Sequence, residues 1–185
     1  WIVGASGLTL ITSDGQTWTN VNPPAGFSTS LRFVIAPTQQ HAWAFGDAES
    51  ILKYSSGTWT QQVFPGRDAG RVIWSAASVD GVLILAGGDN GRIIRTTDGG
   101  TNWAVLSIGS STEAVATMAT VDGSTFWAGG SNGSLWRSSD SGSSWSLVRS
   151  LPSSVSSLTL KSATSLQFIS GDSVYNYNST TNSLV

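Results

Sequence analysis

Three aspartates stand out by their setting. Asp14, Asp98 and Asp140 each follow a Ser or Thr by two positions and precede a tryptophan by four or five, in Thr12-Ser-Asp-Gly-Gln-Thr-Trp18, Thr96-Thr-Asp-Gly-Gly-Thr-Asn-Trp103 and Ser138-Ser-Asp-Ser-Gly-Ser-Ser-Trp145. Carboxylates placed this way suit acid-base chemistry, metal ligation, or closure of a turn onto backbone amides. A glycosidase needs two carboxyls about 5–10 Å apart across the scissile bond. Glu49 and Glu113 are the only glutamates that could join an Asp in such a pair, and no spacing singles one out. His41 is the one histidine and Cys is absent. Multi-His and thiolate metal sites are therefore excluded, and a Ser-His-Asp triad has no support. No helix follows Gly87-Gly-Asp-Asn-Gly91, so it is no phosphate loop. Neither metal nor cofactor is expected.

What remains is local. An Asp heading a turn accepts hydrogen bonds from backbone N–H groups two or three residues on. Gly100 and Gly142 permit the positive φ that follows. The tryptophan ring then folds over the hairpin and buries its apolar area. The expectation is that Asp14, Asp98 and Asp140 form turns.

The elements that carry these loops recur. A shorter copy without the Asp, Tyr54-Ser-Ser-Gly-Thr-Trp59, completes a series whose tryptophans, Trp18, Trp59, Trp103 and Trp145, stand 41, 44 and 42 residues apart. A glycine turn lies upstream of each, at 4–7, 46–50, 88–91 and 130–133. A degenerate fifth copy begins near Gly171 and ends at Leu184, with Leu in place of Trp. Within one period the pattern is that of strands: Val72, Trp74 and Ala76 alternate with Ile73, Ser75 and Ala77. Asp80-Gly81 then supplies a tight hairpin with both turn residues at positive φ, and the apolar run 82–86 is a buried strand. A further turn at 88–91, a strand at 92–96 and a last strand from Trp103 complete four strands in a meander. A lone four-stranded sheet cannot cover its two faces, and stacking sheets around an axis does. A period of 40 to 45 residues therefore implies an all-β fold: a β-propeller of four-stranded antiparallel meander blades. About four and a half blades are present, read as one domain over residues 1–185. The first copy lacks its inner strand and the last most of its outer one, so the chain is read as part of a longer one, with a five-blade ring closing on itself as the alternative.

The segments 96–103 and 138–145 resemble the Asp-box, or bacterial neuraminidase repeat, Ser/Thr-x-Asp-x-Gly-x-x-Trp. Residues 12–18 resemble it with one residue fewer. The resemblance extends as repeats over nearly the whole chain. It implies a sialidase-like, sortilin-like or photosystem II assembly factor-like propeller in which these loops are structural and lie opposite the active face. A sialidase reading further implies an arginine cluster, a Tyr nucleophile with its Glu, and an Asp acid/base. The Arg-Ile-Pro motif that opens such domains is missing, and Arg95 and Arg137 sit at equivalent repeat positions. Catalysis is not expected.

In a meander blade the turn after strand two and the link to the next blade share one face. That face collects Asp47, Glu49, Asp89, Asn90 and Asn132 from turns, and Phe27, Arg67, Asp68, Arg71 and Glu113 from links. These are the candidate binding residues, since loops on a rigid scaffold are the usual place for recognition. His41 reads as an exposed turn residue. Charged residues make up 11% of the chain, against roughly 25% in typical globular proteins. Net charge is -2, which argues against nucleic acid and anionic membrane as partners. No apolar run is long enough to span a bilayer. With 32 Ser and 19 Thr, the surface is built from hydroxyls. A structural or recognition module of a virion, such as a phage fibre, or of a bacterial surface or secreted protein is expected, binding protein or glycan. A sialidase-like glycosidase fragment and a photosystem II assembly factor-like chaperone are the alternatives.

Overall fold

The computed structural model describes residues 1–109 and 112–185. It is an all-β propeller arc of five antiparallel sheets. The first has three strands, β1 (Ile2–Val3), β2 (Thr9–Ile11) and β3 (Thr19–Asn20). The second holds β4 (Leu31–Thr38), β5 (His41–Gly46), β6 (Ile51–Ser55) and β7 (Thr58–Gln62). The third holds β8 (Ile73–Ala77), β9 (Ile84–Gly88), β10 (Arg92–Thr96) and β11 (Ala104–Ser107). The fourth holds β12 (Val115–Thr120), β13 (Phe126–Gly130), β14 (Ser134–Ser138) and β15 (Ser146–Ser150). The fifth holds β16 (Val155–Ser162), β17 (Ser165–Ser170), β18 (Ser173–Asn178) and β19 (Ser183–Leu184). Each sheet is a meander in chain order. The first strands β4, β8, β12 and β16 lie beside one another and mark the inner side of the arc.

Apolar clusters sit between consecutive sheets. Leu31, Ala42, Leu52 and Trp59 of the second sheet pack with Trp1 and Val3 of the first. Trp43, Phe45 and Ile51 pack with Ile73, Ala86 and Ile94. Leu85 and Ile93 pack with Met118, Phe126 and Trp136, and Trp127 and Leu135 with Leu166, Phe168 and Tyr177. The second, third and fourth sheets thus bury both faces on their neighbours, which is why strands with apolar residues on both faces form there.

Three local expectations are corrected. The hairpin at Asp80-Gly81 has positive φ only at Gly81 (75°). Asp80 Oδ1 instead accepts the amides of Val82 and Leu83 at 2.8 and 3.1 Å, and this wider turn delays β9 to Ile84. The alternation over 72–77 breaks, because the register shifts between Ile73 and Ser75. Trp74 is squeezed out as a bulge, exposed, while Ser75, Ala76 and Ala77 are buried in succession. The last strand of the third sheet begins at Ala104, with Trp103 as the residue before it.

Candidate functional site

The two ends of the sheets carry different chemistry. At one end, the loop amides of Gly99, Ser141 and Ser179 donate to the first-hairpin carbonyls of Val82, Ser124 and Thr164 at 2.8–2.9 Å. In the eight-residue loops, Thr96 Oγ1 donates to Asp98 Oδ1 at 2.8 Å and accepts the Gly100 amide at 2.9 Å. Ser138 does the same for Asp140 and Gly142 at 2.7 and 2.9 Å. Asp98 and Asp140 accept amides four residues on, from Asn102 and Ser144, not two or three on as expected. The extra residue of these loops shifts the partner; the shorter first loop keeps it, with Asp14 accepting Gln16 and Thr17 amides at 2.8 Å.

These donors hold all three carboxyls well below the usual 3.8, at about 2. The Thr17 and Gln16 amides do so for Asp14, the Asn102 amide and side chain for Asp98, and the Ser144 hydroxyl and amide for Asp140. Gly100 (φ 85°) and Gly142 (φ 80°) also leave room for the preceding sheet. A Cβ there would sit 2.4 Å from the Trp43 ring and 2.0 Å from Leu85. A basic side chain completes the join: Lys53 Nζ donates to Gly99 O and Arg95 Nε to Ser141 O, both at 2.8 Å. Trp103 and Trp59 are buried, while Trp145 packs half-buried against the third and fourth sheets. Trp18 departs from expectation at 39% exposed, and among the described residues no core cluster takes up its ring. The Tyr54–Trp59 loop, which lacks the Asp, is a tight turn with Ser56 and Gly57 at positive φ, different from the others.

At the opposite end the glycine turns meet the interblade links, as the meander predicts. The Glu49 amide donates to Arg71 O at 2.9 Å, Ile108 to Gly91 O at 2.7 Å and Leu151 to Gly133 O at 2.9 Å. Glu49, 1% exposed, takes Arg92 Nε on Oε1 at 2.5 Å, with Arg92 Nη2 and the Asp68 amide on Oε2 at 3.1 and 2.7 Å. Arg71 Nε pairs with Asp68 at 2.7 Å and lowers its pKa, helped by the Gly70 amide. Glu113 is buried and accepts the Asn132 and Ser134 amides at 3.0 and 3.1 Å. Phe27 is half-buried against the second sheet's core cluster. Glu49, Glu113 and Phe27 are thus occupied in holding links and core, whereas Arg67, Asn90 and Asn132 are exposed.

An exposed, organised feature of this end involves two residues absent from the expected set. Arg32 forks onto Asp47 (Nε–Oδ1 2.7 Å, Nη2–Oδ2 2.9 Å), which raises its pKa. Its guanidinium lies over the Trp74 ring at 5.7 Å. Trp74 Nε1 donates to Asp89 Oδ1 at 2.7 Å, while Asp89 Oδ2 accepts the Val72 amide at 2.8 Å. Register shifts fall between Leu31 and Phe33, Ile73 and Ser75, Val115 and Thr117, and Val155 and Ser157. Arg32, Trp74, Ala116 and Ser156 are therefore equivalent bulge residues on four successive inner strands. The available signal was an apolar residue, Leu31, Ile73, Val115 or Val155, recurring at 42-, 42- and 40-residue intervals directly before each of them. Among the described residues, no cluster of three or more His, Cys, Asp or Glu side chains suits a metal ion, and no helix is long and apolar enough to cross a membrane.

No protein-family model matches the sequence, and no curated protein does. Solved structures do resemble it. YCF48 from Cyanidioschyzon merolae superposes at a TM-score of 0.72 with 19% identity over 98% of this chain and 66% of its own. YCF48 bound to D1 peptide gives 0.70 with 15% identity over 92% and 58%. The WD40 repeats of RRP9 give 0.74 with 16% identity over 100% and 55%. At these identities the likeness establishes the propeller fold. The chain spans between 55% and 66% of the length of these three structures.

Proposed function

We propose that this chain belongs to a non-catalytic propeller of Asp-box type that binds a protein partner through the face of glycine turns and interblade links. The observation that carries the reading is the Arg32–Trp74 pair. A half-exposed tryptophan and a guanidinium are fixed in place by Asp47 and Asp89, and aromatic and arginine side chains on rigid elements dominate protein recognition. Arg67, Asn90 and Asn132 extend the same face. A non-catalytic role is supported by the carboxylates themselves: Asp14, Asp98 and Asp140 are taken up by turn amides, Glu49 by the Asp68 amide and Arg92, and Glu113 by the amides of Asn132 and Ser134. Panning a random peptide display library against the chain tests the reading. Enriched peptides should lose at least tenfold in affinity on Trp74→Ala. Enrichment on a glycan array instead, or turnover of a fluorogenic sialoside, would replace it. The hydroxyl-rich, charge-poor composition supports an exterior setting, on a virion or a bacterial surface.

A second reading is favoured by the likeness to YCF48, one of whose structures holds D1 peptide. In that reading the chain is an assembly factor-like chaperone. Calorimetric titration with D1 peptide checks it, with saturable binding expected only if this reading holds.

A further inference from the structure

Three sheets open the turn after their second strand on an equivalent residue. Asp47, Asp89 and Ser131 are these residues, since their amides donate to the carbonyls of Ser30, Val72 and Ala114 at 2.9, 3.1 and 2.9 Å. Each side chain then reaches back to the inner strand of its own sheet. Asp47 holds the guanidinium of Arg32. Asp89 holds the indole N–H of Trp74 and the Val72 amide, and Ser131 Oγ accepts the Ala114 amide at 3.1 Å. The sheets thus form a series at this end: carboxylate with guanidinium, carboxylate with indole, hydroxyl beside the methyl of Ala116.

Asp89 is the member whose charge is unmet. The salt bridges among the described residues join Arg32 to Asp47, Arg71 to Asp68 and Arg92 to Glu49, and none reaches Asp89. An indole N–H and a backbone amide occupy its oxygens as acceptors without supplying a cation. Trp74 is also left open. It is 39% exposed, Arg32 of the preceding sheet lies over its ring at 5.7 Å, and no core cluster or aromatic pair takes up the rest of it. The following sheet offers only small side chains there. Ser75 Oγ donates to Val115 O at 3.3 Å, so the bulge beside Trp74 is Ala116, with Ser156 one sheet beyond. An indole steps down to a methyl next to an uncompensated carboxylate.

We propose that this step binds an arginine side chain of the partner protein, its guanidinium stacked on the open side of Trp74 above Ala116 and paired with Asp89. The inference rests on the reading of this face as a protein-binding surface and names what that surface selects. The occupant continues the stack that Arg32 begins, one sheet further on, with Asp89 in the part that Asp47 plays. The charge of Arg32 is met by Asp47, so a second cation on the ring faces no unpaired first one. A planar guanidinium stacks on an indole and forks onto a carboxylate at once. An apolar or acidic side chain gains one of these contacts at most.

The test uses an array of synthetic peptides with arginine fixed at the centre, and a twin array with citrulline, its uncharged isostere, in that place. The affinity of the strongest binders for the 185-residue chain should fall about tenfold on that exchange, and added salt should narrow the gap. Trp74→Ala should close it. Asp89→Asn, which keeps an oxygen for the indole N–H, should close it too, as should Ala116→Leu, which fills the floor of the step; thermal midpoints verify that the variants fold. Trp74-dependent binding in which citrulline serves as well as arginine would overturn this inference and leave the reading of the face standing. A preference for arginine that persists in Asp89→Asn would overturn it as well. Arrays on which no peptide binds, or binding indifferent to Trp74→Ala, would remove the reading of the face and this inference with it.

Discussion

At the scale of single residues, the loop aspartates make a prediction about acid. Asp14, Asp98 and Asp140 are held at about 2 in the folded chain, below their ordinary 3.8. The unfolded chain therefore binds protons first, so their stabilisation is complete above about pH 4 and is lost as pH falls through about 2. The urea midpoint should fall over that interval, and less steeply in a D14N/D98N/D140N triple variant. The loop glycines separate conformational strain from crowding. Gly15 (φ 72°) has open space where a Cβ would go, while at Gly100 (φ 85°) the Trp43 ring stands 2.4 Å away. Gly15→Ala should cost about 1–2 kcal/mol through its left-handed backbone alone. Gly100→Ala should cost about 1–3 kcal/mol more through overpacking, and thermal unfolding of the two variants measures the difference. That these loops close on an aspartate was readable from their spacing. That their glycines also admit the preceding sheet was not, because a close approach between sheets leaves no mark within one period.

At the scale of elements, the joins between sheets rest on a few polar contacts laid over apolar clusters. Glu49 is 1% exposed and ties the 64–71 link to Arg92 of the next sheet. Removing one partner of a buried pair leaves an uncompensated charge, so Glu49→Ala should cost about 3–5 kcal/mol in chemical denaturation. An E49A/R92M pair should recover part of that loss. Strand existence and order were legible from period-two runs and turn residues over most of the chain. The bulges were not. Alternation placed Trp74 on the same face as Val72 and Ala76, yet the extra residue in β8 turns it outward beside Arg32. A pattern of one sequence registers side-chain type, and a bulge depends on how many residues the neighbouring strand offers opposite. Topology alone thus gathers the turns and links at one end, while the Arg32–Trp74 pair on that end left no trace in the alternation. Glu49 and Glu113, conspicuous as the only glutamates, proved to be buried supports for that face.

At the scale of the whole molecule, each apolar cluster joins one sheet to the next, so stability adds up along the arc through nearest neighbours. The central sheets have neighbours on both sides. The first sheet exposes Ile2, Leu8 and Trp18, and the fifth exposes Ile169 and Val174. Hydrogen exchange should therefore be slowest in β9 and β13 and fastest in β1, β3 and β19. Uniform protection across all five sheets would instead indicate a single cooperative unit. The repeat was the most legible level of all, since two markers holding one period specify a stack of small sheets without reference to any contact. The bulges on the inner strands carry a last consequence. Arg32, Trp74, Ala116 and Ser156 occupy four matching sockets that the ladder hydrogen bonds pass by, so their side chains can be exchanged with little effect on the scaffold. A combinatorial library randomised at those four codons would vary the surface of that face while leaving the architecture to the rest of the chain.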